Sequence, residues 1–270
     1  MMRIDEICDV LSRSGIEDSR IEAEILIEEL LGEAVSEDRE YDCERLRCAL
    51  EARCSGYPLQ YIIGKWWFAR CVFEVNENCL VPRPDTEAVV EEAIKLIPKG
   101  SRFADLCTGS GCIAIAIADL REDLSGYAVE LYPETLELAR KNAQRNRVES
   151  RLTFIEGDVL TGEALGDERF EAIISNPPYI RSDVIETLSR EVRHEPRAAL
   201  DGGEDGLIFY RAIVEKYQRN LSDGGVFIFE IGYDQAEALG EIANANCFDC
   251  RIIKDLGGCD RVAILSRTQD

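Results

Sequence analysis

Apolar residues recur along this 270-residue chain with two different periods, and the change of period divides it. Over residues 1 to about 60 the period is helical. Ile21, Ile25, Leu26 and Leu30 fall on one face, with Glu22, Glu24, Glu28 and Glu29 largely on the other. Gly32 is placed to close this helix, because glycine adopts the left-handed conformation that ends one. Cys43 to Cys54 repeats the pattern with Leu46 and Leu50. Between Tyr61 and Val81 the helical period gives way to strand-formers broken by polar residues. Trp66, Trp67, Phe68, Val72, Phe73 and Val75 predict a hairpin there. Pro82-Arg83-Pro84-Asp85-Thr86-Glu87 then forms a rigid entry to a helix from about Thr86 to Leu96, with Asp85 or Thr86 as its N-cap.

From Ser101 onward short apolar runs alternate with amphipathic stretches. The runs predict strands over Arg102–Cys107, Tyr127–Leu131, Leu152–Glu156, Phe170–Ser175, Gly225–Ile231, Cys250–Lys254 and Arg261–Ser266. Helices are predicted over Gly111–Leu120, Pro133–Asn146, Leu207–Asn220 and Gln235–Asn244. Such alternation implies an α/β domain with a mainly parallel sheet covered on both faces. The predicted organisation is a helical module over 1–60, a hairpin linker over 61–81 and the α/β domain over 82–270. In sheets of this kind ligands bind beyond the carboxyl ends of the strands.

Charge sharpens this picture. The net charge is −22, and residues 1–40 alone hold 13 acidic and 4 basic side chains. Such a surface repels phosphate backbones and favours a partner with a basic face, so direct nucleic-acid binding is not expected. Arg140, Lys141, Arg145, Arg147 and Arg151 form the one notable basic run, and Glu134 and Glu137 on the same helix make it a solvated face. Met1 to Leu11 already contains Arg3, Asp5, Glu6 and Asp9, which argues against a secretory leader. The longest uncharged stretch, Leu106 to Ala118, is too short to span a bilayer. Eleven cysteines, an odd number, fit reduced thiols packed in a core, and together these features point to the cytoplasm. Cys247 and Cys250 have C-x-x-C spacing without a second pair, so no metal site is expected.

Two segments carry the candidate chemistry. In Asp105-Leu106-Cys107-Thr108-Gly109-Ser110-Gly111 a strand turns into a helix. Glycines let the backbone turn sharply and approach a ligand, and the helix start offers free N–H groups to an anion. Glu130 closes the next strand, where a carboxylate can accept from two ribose hydroxyls. These features indicate a nucleoside cofactor. Gly109-x-Gly111-x-x-Ala114 also satisfies a dinucleotide pattern. Asp105 weighs against a pyrophosphate, which it would repel, and suits the ammonium of S-adenosylmethionine. Asp158, after the third strand, could accept from an adenine amino group, or cap a turn.

The second segment is Asn176-Pro177-Pro178-Tyr179, at the end of the apolar run Phe170 to Ser175. Proline lacks an N–H and fixes its own φ, so the strand must stop here in a stiff extended exit. The Asn176 side-chain carbonyl and the Pro177 backbone carbonyl can pin both hydrogens of a planar NH₂ group, and the Tyr179 ring can stack on it. An amide nitrogen is a poor nucleophile, and pinning both hydrogens would aim it in an in-line methyl transfer.

Together the two segments resemble class I S-adenosylmethionine-dependent methyltransferases that modify planar NH₂ groups. Pro58-Leu-Gln-Tyr-Ile-Ile-Gly64, Val81-Pro-Arg-Pro-Asp-Thr-Glu87, the run from Glu195 to Leu207 and Glu230-Ile-Gly232 narrow the resemblance to the release factor glutamine methyltransferase family, also called HemK or PrmC. The resemblance covers nearly the whole chain. It implies a seven-stranded Rossmann-like sheet, S-adenosyl-L-methionine as cofactor, and methylation of the glutamine in the Gly-Gly-Gln loop of peptide chain release factors. It implies that Asp105, Cys107, Thr108, Gly109, Ser110, Gly111, Glu130, Asp158, Val159 and Asn176 bind the cofactor. Asn176, Pro177 and Tyr179 would be catalytic, and with Pro178 would hold the substrate amide. Cys107 stands where the family often has glycine, Glu130 where it often has aspartate, and Val159 where some relatives carry an aromatic. An adenine in nucleic acid and a glutamine of a ribosomal protein are the alternative acceptors.

Overall fold

The computed structural model describes residues 2–42 and 44–268; Met1, Cys43, Gln269 and Asp270 lie outside the described residues. The chain divides into two compact units, Met1–Lys65 with Leu188–His194, and Trp66–Thr187 with Glu195–Asp270.

Among the described residues the first unit contains four α-helices: α1 (Ile4–Arg13), α2 (Ser19–Leu31), α3 (Glu44–Cys54) and the short α4 (Leu59–Ile63). Gly32 closes α2 with φ +68°, donating its N–H to Glu28, as the sequence predicts. The buried stripe of α2 differs from the predicted one. It is Ala23, Leu26, Ile27 and Leu30, whereas Ile21 is exposed. The Ile-Leu-Ile run offers apolar residues on adjoining faces, and the face that meets Ile4, Ile7 and Leu11 of α1 is the one that keeps i, i+3, i+4, i+7 spacing. Glu22 is not a solvated residue either. Arg53 of α3, itself buried, grips it with two hydrogen bonds of 2.6 and 2.9 Å and reaches Glu191 at 3.1 Å. A fork of this kind ties α2, α3 and the 188–194 segment into one body.

Next comes a hairpin whose strands are β1 (Lys65–Phe68) and β2 (Cys71–Glu74), all but Lys65 in the second unit. One turn of 3₁₀ helix, Pro84–Thr86, leads into α5 (Glu87–Leu96). Then follow β3 (Arg102–Leu106), α6 (Cys112–Leu120), β4 (Ser125–Glu130), α7 (Pro133–Arg145), β5 (Leu152–Glu156) and β6 (Phe170–Ser175). The chain ends with α8 (Ile208–Tyr217), β7 (Leu221–Glu230), α9 (Ala236–Ala245), β8 (Phe248–Lys254) and β9 (Asp260–Arg267). The seven strands from β3 onward form one sheet in the order β5-β4-β3-β6-β7-β9-β8. The first five are parallel, and β9 runs antiparallel between β7 and β8.

Side chains of β3 alternate between the two faces. Ala104 and Leu106 join a core with Tyr210, Ile213 and Tyr217 of α8 and Phe227 and Phe229 of β7. Asp105 points the other way, to α6, where the Ala114 N–H donates to it. Strand β7 starts four residues earlier than its apolar pattern predicts. Phe170 pairs with Leu221, the register then shifts, and Ala172 pairs with Val226, so the Asp223-Gly224-Gly225 turn is absorbed as a bulge. The predicted cap of α5 is not made. The Thr86 hydroxyl donates to Glu230 at 2.5 Å, and Asp85 pairs with Arg261 at 3.2 Å. Among the described residues no helix is long and apolar enough to cross a membrane. Cys48, Cys247 and Cys259 are exposed rather than packed in the core, and among the described residues no cluster of His, Cys, Asp or Glu is arranged to hold a metal ion.

Candidate active site

The loop between β3 and α6 sits at the carboxyl edge of the sheet and is held from below. Asp105, fully buried, accepts from the Thr108 hydroxyl at 2.5 Å and from the Ala114 N–H at 3.3 Å. Its other oxygen, Oδ1, is buried with no hydrogen-bond partner. Burial pushes this carboxyl up to about 7 against the pull of those two donors. The Thr108 N–H donates to Val129 of β4 at 2.9 Å, which fixes the loop to the neighbouring strand.

Three alternate residues of the loop are left-handed: Cys107 at φ +60°, Gly109 at +57° and Gly111 at +84°. The glycine that the resemblance led one to expect at 107 has a clear backbone reason, and the cysteine there carries a strain of about 1 kcal/mol. A Cβ on Gly109 would meet nothing within 4 Å, so the loop leaves open space above it. A Cβ on Gly111 would stand 2.9 Å from Ile115 and 3.3 Å from Ala139, so this glycine lets α6 and α7 close together.

Glu130 ends β4 with both oxygens directed at backbone donors. Oε2 accepts from Gly109 at 3.0 Å, and Oε1 accepts from Leu131 at 2.9 Å and Tyr132 at 3.2 Å. Burial raises its pKa in spite of these bonds. Oε2 keeps a further lone pair for a hydroxyl, whereas both of Oε1's are taken by the backbone. Asp158 lies beyond β5 and accepts from the Leu160 N–H at 2.8 Å, which makes it a turn-forming residue as well as a lining one. Val159 is buried in the core beside it.

Asn176 follows β6, and its Nδ2 donates to the Thr86 hydroxyl at 3.4 Å. Tyr179 turns its hydroxyl inward to Glu230 Oε1 at 3.3 Å, and its ring packs against the core. Burial, with the Glu230 charge beside it, pushes the Tyr179 hydroxyl well up. Gly202 and Gly206 lie so close to the Tyr179 backbone that a Cβ on either would collide with it.

These pieces surround a cavity of about 310 Å³. Cys107, Thr108, Gly109, Ser110, Glu130, Asp158, Val159, Asn176 and Pro178 line it. Asp105, Gly111, Pro177 and Tyr179 do not; they stand behind the lining and shape it. Two straps that the hydropathy pattern leaves blank complete the wall, Asn78–Arg83 and residues from Pro196 to Asp201. Glu195, buried, joins them by accepting from the Val81 N–H at 3.0 Å and pairing with Arg83. Leu131, Tyr132 and Phe209 add apolar lining. The one signal for the straps was the pair of Pro-Arg segments, Val81-Pro-Arg and Glu195-Pro-Arg.

This architecture is that of solved methyltransferases. A methyltransferase from Pyrococcus furiosus superposes with a TM-score of 0.56 at 18% identity, over 74% of this chain and 90% of its own. A ribosomal protein L11 methylase from Lactobacillus delbrueckii gives 0.52 at 20% identity, over 69% and 81%. Residues 86–226 match the family model Methyltransferase small domain, and residues 4–64 match PrmC N-terminal domain. The release factor glutamine methyltransferase of Geobacter sulfurreducens is 41% identical over 262 residues, covering 93% of this chain and 91% of its own. That of Caulobacter vibrioides is 39% identical over 268 residues, covering 95% and 92%. The chain belongs to the release factor glutamine methyltransferase family.

Proposed function

We propose that this chain transfers a methyl group from S-adenosyl-L-methionine to the side-chain amide nitrogen of the glutamine in the Gly-Gly-Gln loop of peptide chain release factors. The observation that carries this reading is the placement of the Asn176 amide in the wall of one cavity with the Cys107–Ser110 loop and Glu130. The names of the relatives support the choice of acceptor.

The residues present suit this cofactor. The open space above Gly109 and the N-terminus of α6 would take its carboxylate. Glu130 would accept from a ribose hydroxyl through Oε2, Asp158 from the adenine amino group, and Val159 would flank the base. Asp105 stands behind the loop, so it would act on a cationic group through negative potential, and its unpartnered buried oxygen fits that role. When bound, the cofactor supplies an electrophilic methyl group on a sulfonium.

The chain's own part is to aim the glutamine nitrogen. The Asn176 side-chain carbonyl would accept one of its hydrogens from the cavity wall and turn the nitrogen toward the methyl, while Pro177, expected from the sequence as the second acceptor, stands behind the lining and holds Asn176 in place. Pro178 stiffens the exit from β6, and the straps form part of the cavity wall. Tyr179, with its ring in the core, holds the segment in place rather than presenting a face to the cavity. Nucleic acid is a poorer acceptor on charge, and Arg140 and Arg151 of the basic run direct guanidinium donors at the carbonyls of Phe154 and Ala118. We further propose that the acidic helical unit docks the release factor and that the enzyme works in the cytoplasm.

Asn176→Ala tests the site. Methyl transfer should fall by about 100-fold or more, with thermal stability retained and cofactor affinity by calorimetry changed only modestly. Near-normal turnover would remove Asn176 from the mechanism.

A further inference from the structure

We infer that Glu230 and Thr86 are positioning residues: a hydrogen-bond chain running from the Glu230 carboxylate through the Thr86 hydroxyl fixes which end of the Asn176 amide faces the cavity. The inference rests on the reading of Asn176 as the acceptor for the substrate amide.

The argument is one of donor and acceptor counts. Glu230 ends β7 and is buried at 2% exposure. Burial raises the Glu230 pKa against the pull of the Thr86 hydroxyl, the Arg261 charge and the Tyr179 hydroxyl; in its ionised form the group accepts and cannot donate. Its Oε2 lies 2.5 Å from the Thr86 hydroxyl, and its Oε1 lies 3.3 Å from the Tyr179 hydroxyl. Thr86 has one proton, and it is committed to Glu230. The Thr86 oxygen can therefore only accept from Asn176, 3.4 Å away, and the group that donates must be Nδ2. The nitrogen end of the amide is thereby assigned to Thr86, and the carbonyl end is left as the acceptor. Tyr179, three residues on, gives its single proton to the same carboxylate, so one buried charge orders both ends of the tetrapeptide.

Several groups hold that carboxylate. Arg261 lies near it, itself paired with Asp85 and Asp255 at 3.2 Å each. The Tyr210 hydroxyl donates to the Glu230 backbone carbonyl at 2.8 Å and anchors the strand end. Among the described residues the Thr86 hydroxyl is the one hydrogen-bond partner that tells the two ends of the Asn176 amide apart. The flipped amide offers N–H groups to a substrate that itself presents N–H groups.

The test is a double-mutant cycle on the full chain. Thr86→Val and Glu230→Gln should each lower kcat by about 10- to 100-fold, with cofactor Kd unchanged within about twofold. The double variant should lose little more than Thr86→Val alone, because both act through one chain. Thr86→Ser should restore most of what Thr86→Val loses. The Asn176 side-chain amide resonances, assigned by their loss in Asn176→Asp, should move in Thr86→Val and return in Thr86→Ser. This readout needs no substrate, so it decides the hydrogen-bond chain even if no glutamine were methylated, an outcome that would overturn only the proposed function. Losses that multiply in the double variant, a kcat within about threefold of wild type in Thr86→Val, or unmoved amide resonances would each overturn the inference.

Discussion

Asp105 illustrates how much a single residue can hold without touching the cavity. Its carboxyl is buried under the loop, carries two donors on one oxygen and none on the other, and titrates near 7 rather than near 3.8. A folded-state pKa raised above the unfolded value means that the folded chain holds the proton more tightly. The stability this contributes is fully present below about pH 4 and is lost as pH rises through about 7. Asp105→Asn has no such titration. The melting temperature of the variant minus that of wild type should therefore rise between about pH 4 and pH 7, at about 1.4 kcal/mol per pH unit in stability. A difference that stays flat across that window would show that Asp105 is not desolvated as its geometry implies. The sequence reading put Asp105 beside a cofactor ammonium. The period-2 alternation of β3 sends it toward α6 instead, and a residue one position from Leu106 cannot share its face.

At the scale of elements, the loop between β3 and α6 depends on a glycine whose role is packing. Gly111 has φ +84°, and a Cβ there would displace the terminal methyl of Ile115 and crowd Ala139 at 3.3 Å. Gly111→Ala should lower stability by about 1–3 kcal/mol in chemical denaturation, through strain and through separation of α6 and α7. Gly109, with open space above it, lacks that packing constraint. An equal loss from Gly111→Ala and Gly109→Ala would contradict the distinction.

The parallel strands were legible in the sequence because strands covered on both faces read as apolar runs, and Leu152–Glu156 and Phe170–Ser175 fall on the predicted residues. The start of β7 was not legible, because a bulge lets Leu221 pair on the far side of two glycines. The stripe of α2 was misplaced for a related reason: apolar residues adjoin on its faces, and only α1 decides which face is buried. The straps over the cavity have no period to read. Their link, Glu195 to Arg83 and Val81, joins residues more than a hundred positions apart.

For the whole molecule, charge is the feature that most constrains the partner. A net charge of −22, with 13 acidic side chains in the first 40 residues, suits a basic face and opposes nucleic acid. If the helical unit docks the release factor, KM for the intact protein should rise with ionic strength while cofactor Kd changes little. Replacing exposed Asp9, Glu17 and Asp38 by Lys should raise KM in the same way. A KM indifferent to both would place docking elsewhere. Glu22 is unsuited to such a series, because it is locked to Arg53.

The most direct measurement is the site of the methyl group. Wild-type protein incubated with labelled S-adenosyl-L-methionine and a bacterial extract, followed by mass mapping of labelled peptides, should give one modified peptide, with the mass of one methyl group on the glutamine of a release factor's Gly-Gly-Gln loop. Asn176→Ala should give none. Label recovered in nucleic acid, on a ribosomal protein or on a residue other than glutamine would contradict the account.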